Sequence, residues 1–203
     1  KEGYTFSTLG DTEVILIMYQ KYGIDFLGKL NGIFALAIYN ARSRKTFIAR
    51  DGQGVKPLYY SSTKLGFIFA SEMKALLQEK SVDREINADA VAEYLTFLWA
   101  PSPSTMLKRV HKLEQGHYLT IFDNQIIAKD EFYDYPQSSQ YSKFTEGEAI
   151  EETRSYLEQA VRSQLVSDVP MGAFLSRGLD SSSIVALAKK IDPDIDLPCF
   201  TID

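Results

Sequence analysis

The chain has 203 residues, 45% of them hydrophobic and 24% charged, with a formal charge of −5. That balance suits a protein that buries a core and excludes the basic stripe of a nucleic-acid binder, while leaving open small anions, which backbone amides bind without net positive charge. No apolar run approaches the ~18 residues that span a bilayer, so no membrane partner is expected. The start, Lys1-Glu2-Gly3-Tyr4, carries no signal-peptide core and no initiator Met, so the chain reads as a piece of a longer protein. Its single cysteine, Cys199, cannot form an internal disulfide, which points to a reducing, cytoplasmic setting. In the apolar run 197–200 it reads as a small buried hydrophobe.

In chain order, residues 11–22 predict a helix, with Asp11 and Thr12 at the N-cap, Val14, Ile15, Met18 and Tyr19 at helical spacing, and Gly23 as the stop. Apolar residues 34–39 suit a buried strand, and 46–50, 58–60 and 66–70 suit short strands with polar connections. Helices are expected over 71–78 and 88–98, the second opened by Asn87 or Asp89. Residues 117–122, Asp123-Asn124 and 125–128 read as a hairpin. The aperiodic polar segment 134–145 reads as a linker. Beyond it the pattern changes: a helix over 146–166, a strand over 171–175, a helix over 180–190 and a strand over 197–202 make a parallel βαβ unit. The chain therefore divides into an α+β part, 1–133, the linker, and the beginning of an α/β parallel-sheet part, 146–203.

The most informative stretch is Ser176-Arg177-Gly178-Leu179-Asp180-Ser181-Ser182, between that strand and that helix. A loop there exposes its amides at the positive end of the helix, which suits phosphate. Gly178 allows close backbone approach and a positive φ, and Ser176, Ser181 and Ser182 offer hydroxyl donors. Asp180 is suited to a Mg²⁺ ion bridging phosphates. The structural alternative is that Asp180 or Ser181 caps the helix. There is no Gly-Lys-Ser/Thr, so this is not a Walker A loop. His111 and His117 have no second histidine or cysteine at ligand spacing and suggest no metal site.

Residues 176–182 resemble the Ser-Gly-Gly-x-Asp-Ser pyrophosphate loop of the N-type ATP pyrophosphatases, and 167–175 resemble the run before it in asparagine synthetases. Residues 10–16, 31–35, 50–60 and 71–76 resemble stretches of that family's N-terminal-nucleophile glutaminase domain, and 112–117 approximate its Leu-x-Pro-Gly-His run. The resemblance covers nearly the whole chain in order. It implies the later part of a glutaminase-type αββα sandwich, incomplete, followed by the start of an ATP-pyrophosphatase domain. It further implies glutamine, ATP and Mg²⁺, and a carboxylate acceptor that is aspartate by default, and it allows a homodimer. The implied reaction is amide transfer through an acyl-adenylate, releasing AMP and pyrophosphate. By resemblance Asp11 holds the glutamine α-amino group, Ser176, Gly178, Asp180, Ser181 and Ser182 hold the pyrophosphate end of ATP, and Asp180 faces Mg²⁺.

Arg50, Asp51 and Lys56 read as structural ion pairs beside a turn at 54–57, with Tyr59 and Tyr60 packed inside, and Glu72 and Lys74 as a salt-bridged helix start. Two residues depart from the pattern. The family's glutaminase uses an N-terminal cysteine, where this chain begins with Lys1, so catalysis of glutamine hydrolysis is not expected from these residues alone. Arg177 stands where the family has glycine; a positive φ there would cost on the order of 1 kcal/mol, whereas a guanidinium can also pair with phosphate. The alternative reading is a non-catalytic or degenerate relative that acts as a binding or regulatory module.

Overall fold

Strands with apolar side chains on both faces organise the first part of the molecule. The computed structural model describes residues 3–8, 10–136 and 144–201. The chain divides into two units, Lys1–Pro136 and Gln137–Asp203. Most of the expected linker, 137–143, lies outside the described residues.

In the first unit, α1 (Asp11–Tyr22) runs into a 3₁₀ helix (Gly23–Lys29), followed by β1 (Ala35–Asn40), β2 (Lys45–Arg50), β3 (Tyr59–Thr63) and β4 (Gly66–Ala70). Then come α2 (Met73–Leu76), α3 (Ala88–Phe97), β5 (His111–Lys112), β6 (His117–Phe122) and β7 (Gln125–Glu131). One antiparallel sheet has the order β1-β2-β6-β7 and a second the order β4-β3-β5.

Neighbouring residues of one strand serve different cores. Ile48 of β2 packs with Leu119 and Ile121 of β6 and Tyr60 of β3, joined by Leu58 and Leu113, so this core lies between the sheets. Ala49, next along β2, packs instead with Phe26 and Leu27, flanked by Ile15 and Met18 of α1. On the second sheet Tyr60 faces inward, while Tyr59 packs against Leu76, Val82 and Val110. The layers are therefore helix, sheet, sheet, helix, the αββα order expected. Burying each of Phe26, Leu27, Ile48, Leu113 and Leu119 stabilises the fold by about 1.5–3 kcal/mol.

The hairpin β6–β7 turns through Asp123 (φ 48°) and Asn124 (φ 62°), the left-handed pair that a two-residue turn requires. Gly23, at φ 58°, stops α1 as expected. The start of α1 differs: its N-cap is Gly10, with no side-chain cap, and Asp11 is the first helical residue. Glu13 reaches back instead, accepting hydrogen bonds from Ser7 N (2.8 Å) and Thr8 N (2.7 Å). The helix expected over 71–78 is confined to the four residues of α2, introduced by the exposed Glu72–Lys74 ion pair at 2.7 Å. Asn87 caps α3 by accepting from Ala90 N, and Leu98 closes it at φ 61°.

In the second unit, α4 (Glu146–Gln164) opens on a capping box between Thr145 and Glu148. It leads to β8 (Ala173–Phe174), α5 (Leu179–Ile191) and β9 (Cys199–Phe200), and β8 and β9 pair in parallel, as a βαβ unit must. Cys199 is exposed rather than buried, because the two-residue strands leave their side chains open, with Phe174 87% and Phe200 58% exposed. Among the described residues, no helix is long and apolar enough to cross a membrane.

Two consequences are measurable. Gly116 has φ 67°, and a Cβ on it would lie 2.2 Å from the Tyr133 carbonyl oxygen, so Gly116→Ala should cost more than ~3 kcal/mol in urea denaturation. Burial, with a smaller contribution from Glu114, pushes the Tyr60 phenol up to about 12. The folded chain thus favours the neutral phenol; that contribution is complete below the unfolded pKa of ~10 and is lost as pH rises through the folded value. Tyr60→Phe should therefore lose less stability than the parent between pH ~10 and ~12. Parallel curves would contradict this assignment.

Candidate functional site

The first unit holds a cleft of about 790 Å³ between the start of α1 and β1, which is the edge strand of its sheet. Asp11, Thr12, Lys56, Pro57, Ser71 and Glu72 line it, together with residues of β1. Asp11 is placed there by the turn at Gly10, and a carboxylate at the first helical position suits the partial positive charge of the helix start. The segment before it is held by Glu13, whose carboxyl lies below its usual pKa because the Ser7 backbone N–H, followed by the Thr8 hydroxyl, donates to it. The lining of the cleft thus includes two acidic residues, Asp11 and Glu72, the latter paired with Lys74, and one lysine, Lys56.

Lys56 and Pro57 are brought to the cleft by side chain-to-backbone hydrogen bonds in place of the ion pairs expected among Arg50, Asp51 and Lys56. Asp51 is 1% exposed, and among the described residues its carboxylate accepts from backbone N–H groups. Oδ1 takes Gln53 N (3.1 Å) and Val55 N (3.0 Å), and Oδ2 takes Lys56 N (3.0 Å) and Phe34 N (3.3 Å). Arg50 donates to the carbonyls of Lys56 (2.7 Å), Leu113 (2.7 Å) and Gly54. Desolvation lowers the Arg50 pKa, offset in part by the charge of Asp51. Side-chain charges here hold backbone groups, because a loop turning through Gly52 and Gly54 leaves its amides without ladder partners. The Asp-Gly-x-Gly spacing is the signal that could have revealed it.

In the second unit the predicted phosphate-loop residues come together in one hydrogen-bonded turn. Ser176 N donates to Ser181 Oγ (3.1 Å), the Ser176 and Ser181 hydroxyls lie 2.9 Å apart, and Gly178 N donates to Ser176 Oγ (3.2 Å). Ser182 Oγ donates to the Gly178 carbonyl (3.0 Å). The N-cap of α5 is Gly178, with no side-chain cap, so neither Asp180 nor Ser181 caps the helix, and its first-turn N–H groups remain available to an acceptor. Asp180 is exposed at the second helical residue.

Gly178 does not use a positive φ; its value is −83°. Its missing Cβ matters because that atom would lie 3.1 Å from Ser176 Oγ. Among the described residues, the non-glycine positive φ values fall at Arg44, Leu98, Asp123 and Asn124, so Arg177 carries none of the strain considered for it. The first-turn N–H groups of α5 are the donors left open to an anion. Among the described residues no cluster of three or more potential metal ligands exists, so Asp180 would supply one protein ligand to a phosphate-bound Mg²⁺.

Neither histidine lines the first-unit cleft. His117 Nδ1 is 2.8 Å from the Gln115 carbonyl oxygen. His111 packs against the Tyr60 ring with centroids 5.4 Å apart, and burial lowers its pKa.

Residues 1–133 match the family described as glutamine amidotransferase domain, and residues 152–203 match asparagine synthase. A glutamine-hydrolysing asparagine synthetase, number 1 of Bacillus subtilis strain 168, is 39% identical over 195 residues, 96% of this chain and 30% of that protein. An amidase, chyE, of Penicillium rubens is 30% identical over 190 residues, 91% of this chain and 27% of that protein. The chain thus spans about a third or less of the length of these relatives. A solved glutamine phosphoribosylpyrophosphate amidotransferase from B. subtilis, complexed with ADP and GMP, superposes with a TM-score of 0.45 at 18% identity, covering 98% of this chain and 40% of that one.

The turn geometry predicts unequal roles for two neighbours. Ser181→Ala removes the group that links Ser176 and Gly178 and should cost about 1 kcal/mol in urea denaturation. Asp180→Ala, at an exposed position, should stay within about 0.5 kcal/mol of the parent. Equal losses would contradict the turn as the structural element.

Proposed function

The chain belongs to the glutamine amidotransferase domain family, with an asparagine synthase match over its second unit, and on that premise we propose that it serves glutamine-dependent, ATP-driven amide transfer to a carboxylate. The observation that carries this reading is the pairing of two different sites with two matched families, in order along the chain. A cleft lined by Asp11, Lys56 and Glu72 lies in the first unit and a serine-rich turn at a helix N-terminus lies in the second.

Asp11 holds the α-ammonium of glutamine, whose side-chain amide is hydrolysed to glutamate and ammonia. In the second unit Ser176, Gly178, Ser181 and Ser182, with the first-turn amides of α5, bind and orient the pyrophosphate end of ATP. Asp180 would contribute a carboxylate to a Mg²⁺ ion, which would supply charge neutralisation at the phosphates. The acceptor carboxylate attacks the α-phosphorus and displaces pyrophosphate; ammonia then attacks the acyl carbon of the adenylate and displaces AMP. Aspartate is the default acceptor, in keeping with the name of the B. subtilis relative. A cytoplasmic setting accords with these substrates. Arg177 favours a second reading, a nucleotide-binding module without synthetic activity, because it puts a cation where the family has glycine.

Isothermal titration tests the binding role assigned to each site, which the two readings share for ATP. Mg²⁺–ATP should bind the parent and Arg177→Gly with affinities within about tenfold of each other, since Arg177 carries no backbone strain. Binding by the glycine variant alone would mean that Arg177 disables the turn. L-Glutamine binding should weaken by about tenfold or more in Asp11→Asn, which loses a charge-assisted pair. Unchanged affinity would remove Asp11 from the site.

A further inference from the structure

Asp51 lies outside the cleft, yet each oxygen of its carboxylate has a distinct set of partners. Oδ1 holds two loop amides, Gln53 and Val55. Oδ2 holds Phe34 N and Lys56 N, which belong to two cleft-lining residues that are 22 positions apart in the chain. The other end of the Lys56 residue is held as well, since its carbonyl accepts from Arg50 Nε at 2.7 Å. One oxygen atom therefore ties the entry of β1 to the wall that carries the Lys56 ammonium.

We propose that Asp51 is a positioning residue for the cleft, whose Oδ2 fixes the spacing between Phe34 and Lys56 and thereby the affinity for a zwitterionic amino acid. The proposal rests on the glutamine reading of that cleft. Its chemistry is specific to a carboxylate. An asparagine at 51 can present its carbonyl oxygen to one pair of amides only, and its NH₂ then meets the other pair donor to donor. Arg50 acts on the same wall from the opposite side. Its fork reaches three carbonyls at once, a spread that the compact ammonium of a lysine lacks.

The test is isothermal titration of L-glutamine into the full-length protein carrying this chain, with melting temperatures measured alongside. Asp51→Asn should weaken binding about tenfold or more. Ser61→Ala controls for general loss of stability: Ser61 is fully buried, and its hydroxyl donates to the Arg109 carbonyl at 2.7 Å, away from the cleft-lining residues. It should lower the melting temperature and leave glutamine affinity within about twofold. If Asp51→Asn does not fold, Arg50→Lys takes its place, with an expected weakening of about threefold. Glutamine affinity within twofold of the parent in the folded Asp51→Asn or Arg50→Lys protein would overturn the proposal. So would equal weakening by Ser61→Ala, which would reduce Asp51 to a stabilising residue. Asp11→Asn is measured in parallel: if it too leaves affinity unchanged, the glutamine reading fails, and the proposal with it. Strong loss in Asp11→Asn beside no loss in Asp51→Asn overturns the positioning role alone.

Discussion

A fully desolvated carboxylate is costly unless its lone pairs are occupied, and the one at Asp51 is occupied by four backbone N–H groups. Its main chain adds to the same knot: Asp51 N donates to the Phe34 carbonyl, and the Asp51 carbonyl accepts from Gly54 N and Gly116 N. Gly116 in turn holds Phe132 and Tyr133 through its carbonyl. Residues far apart in sequence thus meet at one acidic side chain placed just beyond the end of β2. The arrangement tolerates little change, since Gly54 (φ 64°) and Gly116 (φ 67°) both hold left-handed conformations beside it.

The sheets give this knot its rigidity. The core between them keeps β2, β3 and β6 in register, and the helical layer over Ala49 fixes α1 against the first sheet. Because α1 is fixed, Asp11 has a defined position relative to β1, and because Asp51 is fixed, so has Lys56. The cleft follows from those two placements. In the second unit a smaller device does comparable work: the parallel pair β8–β9 aims the intervening turn, and hydroxyl and amide groups of Ser176, Gly178, Ser181 and Ser182 bind within that turn at the start of α5.

The strands were legible as apolar runs whose neighbouring residues, as at Ile48/Ala49 and Tyr59/Tyr60, serve opposite faces; the αββα layering came from the resemblance, and Asn124 and Gly23 mark their turns by residue type. The two-residue β5 and the 3₁₀ helix were not, since neither is long enough to establish a period and the latter carries glycine at both 23 and 28. Asp11 and the serines of the turn were singled out through resemblance; Asp11 lines the cleft, and the serines share one hydrogen-bonded turn. The mistaken ion pairs around Asp51 have a physical origin: opposite charges close in sequence suggest mutual pairing, whereas loop amides lacking ladder partners compete for the same carboxylate and prevail when water is excluded. Cys199 was misjudged because an apolar run implies burial only when another layer covers its strand.

The most direct measurement is a two-dimensional amide NMR spectrum of the isotopically labelled protein, recorded as L-glutamine is added. The cleft reading predicts saturable shifts centred on Asp11, Thr12, Phe34 and Lys56, the residues at the start of α1 and those joined by Asp51. Shifts centred elsewhere, or none at glutamine concentrations well above those that saturate known sites of this chemistry, would contradict it.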